Sequence, residues 1–367
     1  MNRLILSLLA IAAASPVVAG NTNDIPLAET PAPQPVVAVE TQDVVEGDLL
    51  NIKADARLDY QNVWNDGSHV KSNSGIEGKY LDFQIDGSIV EGLTYSWRQR
   101  LYKKHIDNNY FDATDWVYLK YKYRGWEFSA GKEVVKIGGW EYDRSPINLF
   151  GCSVFWNNIP CYALGAAVGY DIGKNDQLSF QATQSPFWTK ENRDMYGFNL
   201  MWTGRHGCFN PLWSVNLFEY LPGKYISYIA LGNRFDFGKF HLEVDFMNRA
   251  ASHQTYFFKD CSAMAEVAYC PNPRWRIHAK YTYDVNRSGT GADFTVLDGT
   301  ELNMVGGGVE FYPLKKRKTD LRVHANYYYS WGTNTNESDV MQRNTQFMSV
   351  GLTWNMNIYS LNRKNKH

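Results

Sequence analysis

The segment RWRIHAKYTYDV, residues 274–285, puts Trp275, Ile277, Ala279, Tyr281, Tyr283 and Val285 on every second position. Between them stand Arg274, Arg276, His278, Lys280, Thr282 and Asp284. Successive side chains of an extended chain leave opposite faces, so a period of two predicts a strand with one apolar and one polar face. The pattern recurs. In 344–359, Met348, Val350, Leu352, Trp354, Met356 and Ile358 oppose Ser349, Gly351, Thr353, Asn355 and Asn357. In 320–331, Leu321, Val323, Ala325, Tyr327 and Tyr329 oppose Arg322, His324, Asn326 and Tyr328. In 51–61, Ile52, Ala54, Ala56, Leu58 and Tyr60 oppose Lys53, Asp55, Arg57 and Asp59; in 240–247, Phe240, Leu242, Val244 and Phe246 oppose His241, Glu243 and Asp245. Read along the whole chain, the alternation predicts sixteen strands, near 51–63, 79–90, 94–105, 113–124, 126–136, 160–171, 177–185, 194–203, 212–221, 224–236, 239–249, 259–270, 274–285, 301–312, 320–331 and 344–359. Gly306–Gly308 interrupts one of them and predicts a bulge or bend there.

The connections sort by length. After even-numbered strands they are mostly tight: EGL (91–93), RG (124–125), GKND (173–176), FGK (237–239), PNP (271–273) and KKRKT (315–319). After odd-numbered strands they are mostly long: 64–75, 137–159, 286–299 and 332–342. Two depart from the rule, a long 204–211 and a short LPG at 221–223. An even strand count with short turns at one end and long loops at the other predicts an all-β, transmembrane antiparallel barrel. Sixteen apolar faces rich in Tyr and Trp do not fit one soluble core. They fit a closed sheet with lipid outside and water inside, which leaves no unpaired edge. Trp97, Trp126, Trp202, Trp213, Trp275 and Trp331 suit interfacial aromatic girdles.

Composition changes this picture little. The chain has 367 residues, a formal net charge of −1 and 15% aromatic residues. No basic excess points to a nucleic-acid partner. A mean hydropathy of −0.42 is consistent with a barrel, because alternating strands average out. Residues 1–19 read as a signal peptide: Arg3, an apolar run over 4–14, then Val17-Val18-Ala19. Residues 20–50, with TPAPQP, read as a flexible periplasmic segment, 51–360 as the barrel and 361–367 as a basic tail. An exported barrel of this type belongs in the outer membrane of a Gram-negative bacterium. Five Cys are present: Cys152 and Cys161 flank one loop, so a local disulfide is one reading and five small apolar residues the other. No phosphate-binding Gly loop or metal-ligand spacing appears, so no cofactor is expected.

A barrel this wide leaves an aqueous channel lined by the polar faces. Its basic positions are Arg98, Arg100, Lys104, Lys120, Lys122, Arg274, Arg276 and Lys280; its acids are Asp82, Asp86, Glu127, Glu133, Glu243, Asp245 and Glu266. Clusters of one sign set ion preference in pores. The same residues can instead pair across neighbouring strands, Asp82 and Asp86 with Arg98 and Arg100, and stiffen the wall. The loop after the fifth strand, KIGGWEYDRSPINLFGCSVFWNN (136–158), is the third outer loop and the longest. It carries Glu141, Asp143 and Arg144 and is expected to fold into the barrel and narrow the channel. An exposed cap or an intersubunit contact is the alternative.

The stretch ATDWVYLKYKYRGWEFSAGKEVVKIGGWEYDRSP (113–146) resembles the porin O and P family of phosphate-selective outer-membrane porins, in its order of strand, short turn, strand with a Gly-Lys step, then Gly-Gly and an acidic loop. The resemblance implies homotrimers, diffusion of small anions and basic side chains lining a constriction, with Arg98, Arg100, Arg274 and Arg276 as the positions that could play that part. The function expected is passive diffusion of small hydrophilic solutes, including anions such as phosphate, through a water-filled channel in contact with outer-membrane lipid. Two rival readings stay open. One is a non-porous barrel that anchors or binds a surface partner. The other is a barrel enzyme, but His278, His324 and Ser330 have no recognisable nucleophile context.

Overall fold

A computed structural model describes residues 48–102, 110–314, 321–336 and 344–362. The expected signal peptide, nearly all of the flexible segment, Lys104 and the end of the basic tail lie outside the described residues. Sixteen long strands follow in chain order: β1 (Asp48–Asn65), β2 (Gly75–Val90), β3 (Leu93–Arg100), β4 (Thr114–Tyr123), β5 (Trp126–Val134), β6 (Tyr162–Ile172), β7 (Asp176–Gln184) and β8 (Tyr196–Gly204). The second half holds β9 (Phe209–Leu221), β10 (Lys224–Phe237), β11 (Phe240–Ala251), β12 (Asp260–Asn272), β13 (Trp275–Asn286), β14 (Glu301–Phe311), β15 (Leu321–Thr333) and β16 (Thr345–Asn362). A two-residue strand, Ser68–His69, folds back on the end of β1. Each long strand pairs antiparallel with its neighbours in sequence. β1 closes the cylinder against β16, from Asp48↔Asn362 to Asn65↔Thr345. Closure pairs every edge, the condition hydrocarbon imposes on backbone N–H and C=O groups. Among the described residues no helix is long and apolar enough to cross a membrane.

Every strand expected from the alternation is present. Side chains obey it too: along β13, Trp275, Ile277, Ala279 and Tyr281 are exposed outward while Arg276, His278, Lys280 and Thr282 are buried inward. Trp97, Trp126, Trp275 and Trp331 stand exposed, and Trp202 and Trp213 meet edge to face at 5.1 Å. Four readings change. No bulge interrupts β14 at Gly306–Gly308: the glycines pair in unbroken register with Lys280–His278 and Tyr328–Asn326, and a Cβ at Gly306 or Gly307 would stand 2.3 or 2.2 Å from a neighbouring carbonyl oxygen, so they serve close packing of the strands. The 204–211 connection is a tight hairpin, Arg205–Cys208, closed by the His206↔Phe209 bridge, so it obeys the short-turn rule after all. Pro222–Gly223 remains the exception at the long-loop end. The lumen is not polar throughout. Phe218, Ile226, Tyr228, Met247, Met304 and Tyr328 point inward and form one buried apolar cluster with Ile137, Val154 and Phe155 of the third loop. On β10 the run Ile226–Leu231 has apolar residues on both faces, so alternation does not mark its inner side. All five cysteines are free, so no local disulfide joins Cys152 and Cys161.

Candidate functional site

The third outer loop, 135–161, runs inside the barrel. It leaves β5 and crosses the inner wall strand by strand, because wall side chains take up its backbone groups. Lys136 N–H donates to Gln181 on β7 at 2.8 Å, and Asn216 on β9 donates to the Lys136 carbonyl at 2.7 Å. Gly138 N–H donates to Ser214 Oγ at 2.7 Å. A Cβ at Gly138 would stand 2.6 Å from the Leu212 carbonyl oxygen, and one at Gly232 of β10 would stand 2.7 Å from the Gly139 Cα. Three glycines therefore let loop and wall backbones touch.

The loop then forms a short helix, α1 (Trp140–Asp143). The Arg234 guanidinium lies 3.8 Å over the Trp140 ring, and Asp245 accepts the Glu141 N–H at 2.8 Å. The Glu141 carboxylate takes Lys280 Nζ at 2.5 Å and Ser153 Oγ at 2.5 Å, tying the outgoing arm of the loop to the returning one. Beyond it the tip reaches β1 and β15. There Arg57 donates to the Leu149 carbonyl at 2.8 Å, Arg322 donates to that of Ile147 at 3.0 Å, and Arg57 covers the Phe150 ring at 4.3 Å. The return begins a second short helix, α2 (Val154–Asn158), where Asp284 accepts the N–H groups of Val154 and Phe155 at 2.9 and 3.3 Å. A carboxylate there satisfies first-turn donors that have no partner within the helix.

Arg144 completes a chain of charges. Register places Glu243 of β11 directly opposite Glu266 of β12, and like charges in that relation repel. The Arg144 guanidinium sits between them, 2.5 Å from Glu243 and 2.9 Å from Glu266. On one side Arg234 meets Glu243 at 2.6 Å. On the other, Arg276 meets Glu266 at 2.5 Å and Glu310 at 2.6 Å, and Arg322 meets Glu310 at 3.1 Å. Signs alternate from β10 to β15, and each charge is held by at least one of opposite sign.

The remaining expected lining residues lie on the other arc. Arg98 is buried against Asp82 and Asp115, under Trp116, and Arg100 meets Asp115 at 2.5 Å. Lys120 and Glu127 are 3.2 Å apart, Lys122 and Asp171 3.6 Å. These two lysines and Arg100 keep 25%, 49% and 23% of their side-chain surface exposed, and Lys53 of β1 keeps 44%. Arg274 precedes β13, in the turn, and its side chain makes no ion pair among the described residues. The structure thus brings Arg276, Lys280, Glu141 and Arg144 into one network and leaves Arg98, Arg100, Lys120 and Lys122 on a separate arc. Asp143 lies in the loop, where burial, opposed by Arg234 and reinforced by Glu243, pushes its carboxyl up to about 6. Arg57, Arg234, Glu310, Arg322 and Asp284 were not singled out by the sequence reading. Their inward parity was visible, but the loop atoms they hold were not.

The same architecture appears in known proteins. Residues 50–214 match the family model described as phosphate-selective porin O and P. The match takes in the third loop and Arg144 and stops within β9, so the strands that hold most of the charge chain lie beyond it. Among solved structures, the anion-selective porin from Comamonas acidovorans is similar at 10% identity and a TM-score of 0.60, over 84% of this chain and 99% of that one. OmpT of Vibrio cholerae is similar at 13% identity and a TM-score of 0.58, over 84% and 97%. Its in-vitro folded trimer form gives 14% and 0.56, over 84% and 100%. At these identities the likeness is one of fold. No curated protein matches the chain.

Proposed function

We propose that this chain is an outer-membrane porin, a water-filled channel for passive diffusion of small hydrophilic solutes, with small anions such as phosphate favoured. The carrying observation is the division of the inner wall. The third loop is fastened to β7, β9–β13, β15 and β1, while Arg100, Lys120, Lys122 and Lys53 stay partly solvated on β1–β4. Cations lining the arc that the third loop leaves uncovered raise the local concentration of anions. In this reading Arg98, Arg276 and Lys280 hold the wall and the loop, Arg100, Lys120, Lys122 and Arg274 face the solute path, and Glu141, Asp143 and Arg144 belong to the loop that narrows it. The family match and the likeness to an anion-selective porin support the solute class. A homotrimer in the outer membrane of a Gram-negative bacterium fits the neighbour that forms trimers.

A second reading, a non-porous anchor, draws on the apolar cluster inside the barrel. A barrel enzyme is disfavoured by the burial of the histidines: the side chains of His324 and His278 are 0% and 2% exposed, packed against Asp59 at 3.0 Å and Tyr328 at 3.1 Å, out of reach of a substrate. Single-channel recording of the refolded protein in a planar bilayer tests the proposal. Stable ohmic steps are expected. A folded barrel that gives no steps would overturn the porin reading in favour of the anchor.

A further inference from the structure

The loop between β11 and β12, SHQTYFFK (252–259), folds outward over the barrel instead of over its mouth. Three contacts define its course. The Tyr256 hydroxyl is 2.7 Å from Ser227 Oγ on β10. Phe258 N–H donates to Asn248 Oδ1 on β11 at 3.0 Å. The Phe258 ring lies 5.8 Å from that of Phe246. Each wall partner faces outward by alternation, since Ile226, Tyr228 and Met247 belong to the inner cluster and Asp245 and Arg249 bond within the barrel. The loop covers Asn248 completely but leaves Phe257 42% and Phe258 72% exposed. Their rings touch at 6.2 Å, and Tyr256 joins them at 5.2 Å from Phe257. Both phenylalanines hold positive φ, 64° and 59°, a conformation that costs free energy for bulky side chains and persists at sites with a use.

We infer that Tyr256, Phe257 and Phe258 form a hook that inserts into the apolar zone of the outer leaflet and fixes this side of the barrel against the bilayer. The hook continues the outward apolar face through Phe246, and Lys259 beside it supplies a cation at headgroup level, the combination found in interfacial anchors. Three aromatic side chains offer less area than a stable protein interface of roughly 800 Å² per partner, which favours lipid over a second copy of the chain. Pro222–Gly223, the two-residue connection next to it, leaves the hook unscreened from the bilayer side.

The inference rests on the reading of the chain as a membrane barrel, and the test separates the two. The photoreactive residue p-benzoylphenylalanine replaces Phe258, or Phe257 in a second variant. Val244, an exposed outward position of β11, and Thr255, an exposed loop position, serve as references. The full chain is refolded into phosphatidylethanolamine–phosphatidylglycerol vesicles and irradiated. A Phe-sized group prefers an apolar phase by on the order of tenfold or more, so lipid adducts at 258 and 257 should match those at 244 and exceed those at 255 by that factor. Adducts at 244 with 258 and 257 no higher than 255 would overturn the hook and keep the barrel in the membrane. Chain-to-chain products at 258 in place of lipid adducts would also overturn it. Failure at 244 and 258 alike would remove the membrane reading and the hook together.

Discussion

The two arcs of the inner wall carry similar residues and use them differently. From β10 to β15 the charges are buried, alternate in sign and close on one another within 2.5–3.1 Å. On β1–β4 several cations keep between a fifth and a half of their side-chain surface, and three of their pairs are longer, two at 3.2 Å and one at 3.6 Å. Ion pairs out of water are worth most in keeping their partners from being stranded; half-exposed pairs contribute little to stability and leave their field available to a solute. The difference lies in what covers each arc. The third loop dries the first and brings Arg144 to a carboxylate pair that register alone would set in opposition. The second has no such cover among the described residues, and its cations keep contact with solvent.

Breaking the loop-covered arc should have the largest effect. Arg144→Ala leaves Glu243 and Glu266 facing each other with less compensation. Loss of one partner from a buried pair costs roughly 3–5 kcal/mol, so the refolded barrel should unfold at a lower urea midpoint and conduct more as the loop loosens. Adding Glu243→Gln should recover part of the loss, a coupling that a double-mutant cycle reads directly. Gly232→Val should come next. Its side chain would collide with the Gly139 backbone and push the loop from the wall, at about 1–3 kcal/mol by urea unfolding, typical of overpacking.

A pH dependence should be of similar size. The Asp143 carboxyl titrates near 6 in the folded chain, against about 3.9 unfolded. Because the folded state holds this proton more tightly, ionisation disfavours folding. Its contribution is favourable below the unfolded value, is lost as pH rises from about 4 to about 6, and is constant above. Asp143→Asn should therefore unfold later than the parent at pH 8, relative to the difference between the two at pH 4, measured as thermal midpoints at both pH values.

Much of this was legible in the residues. Alternation along β13, β15 and β16 marks both faces because polar and apolar residues exchange there with few exceptions, Tyr328 and Phe347 among them, and loop lengths supply the two ends. The Gly138–Gly139 step was visible as a motif element, but its reason, contact with Gly232 nearly a hundred residues later, depends on which strand the loop crosses. Arg144 could be named as part of a charged trio, while its two carboxylates belong to strands brought together only by barrel closure. The inner apolar cluster escaped the pattern for a related reason: Tyr228 sits in a run where inner and outer positions alike are apolar, Met247 is a single apolar residue between the polar Asp245 and Arg249 on its inner face, and the loop's Phe155 and Val154 give both a use. Arg276 and Lys280, read as pore lining, show the converse. Parity placed them inward correctly, and the loop decided what they meet.

The most direct test of this division is the reversal potential across a planar bilayer under a salt gradient, compared between the parent and Lys120→Gln/Lys122→Gln. Both lysines are partly solvated, so the double change should leave stability within about 1 kcal/mol and preserve ohmic steps. An anion-favouring reversal in the parent that falls towards zero in the variant is the predicted result. An unchanged reversal potential, or a cation-favouring parent, would contradict the assignment of ion preference to the uncovered arc.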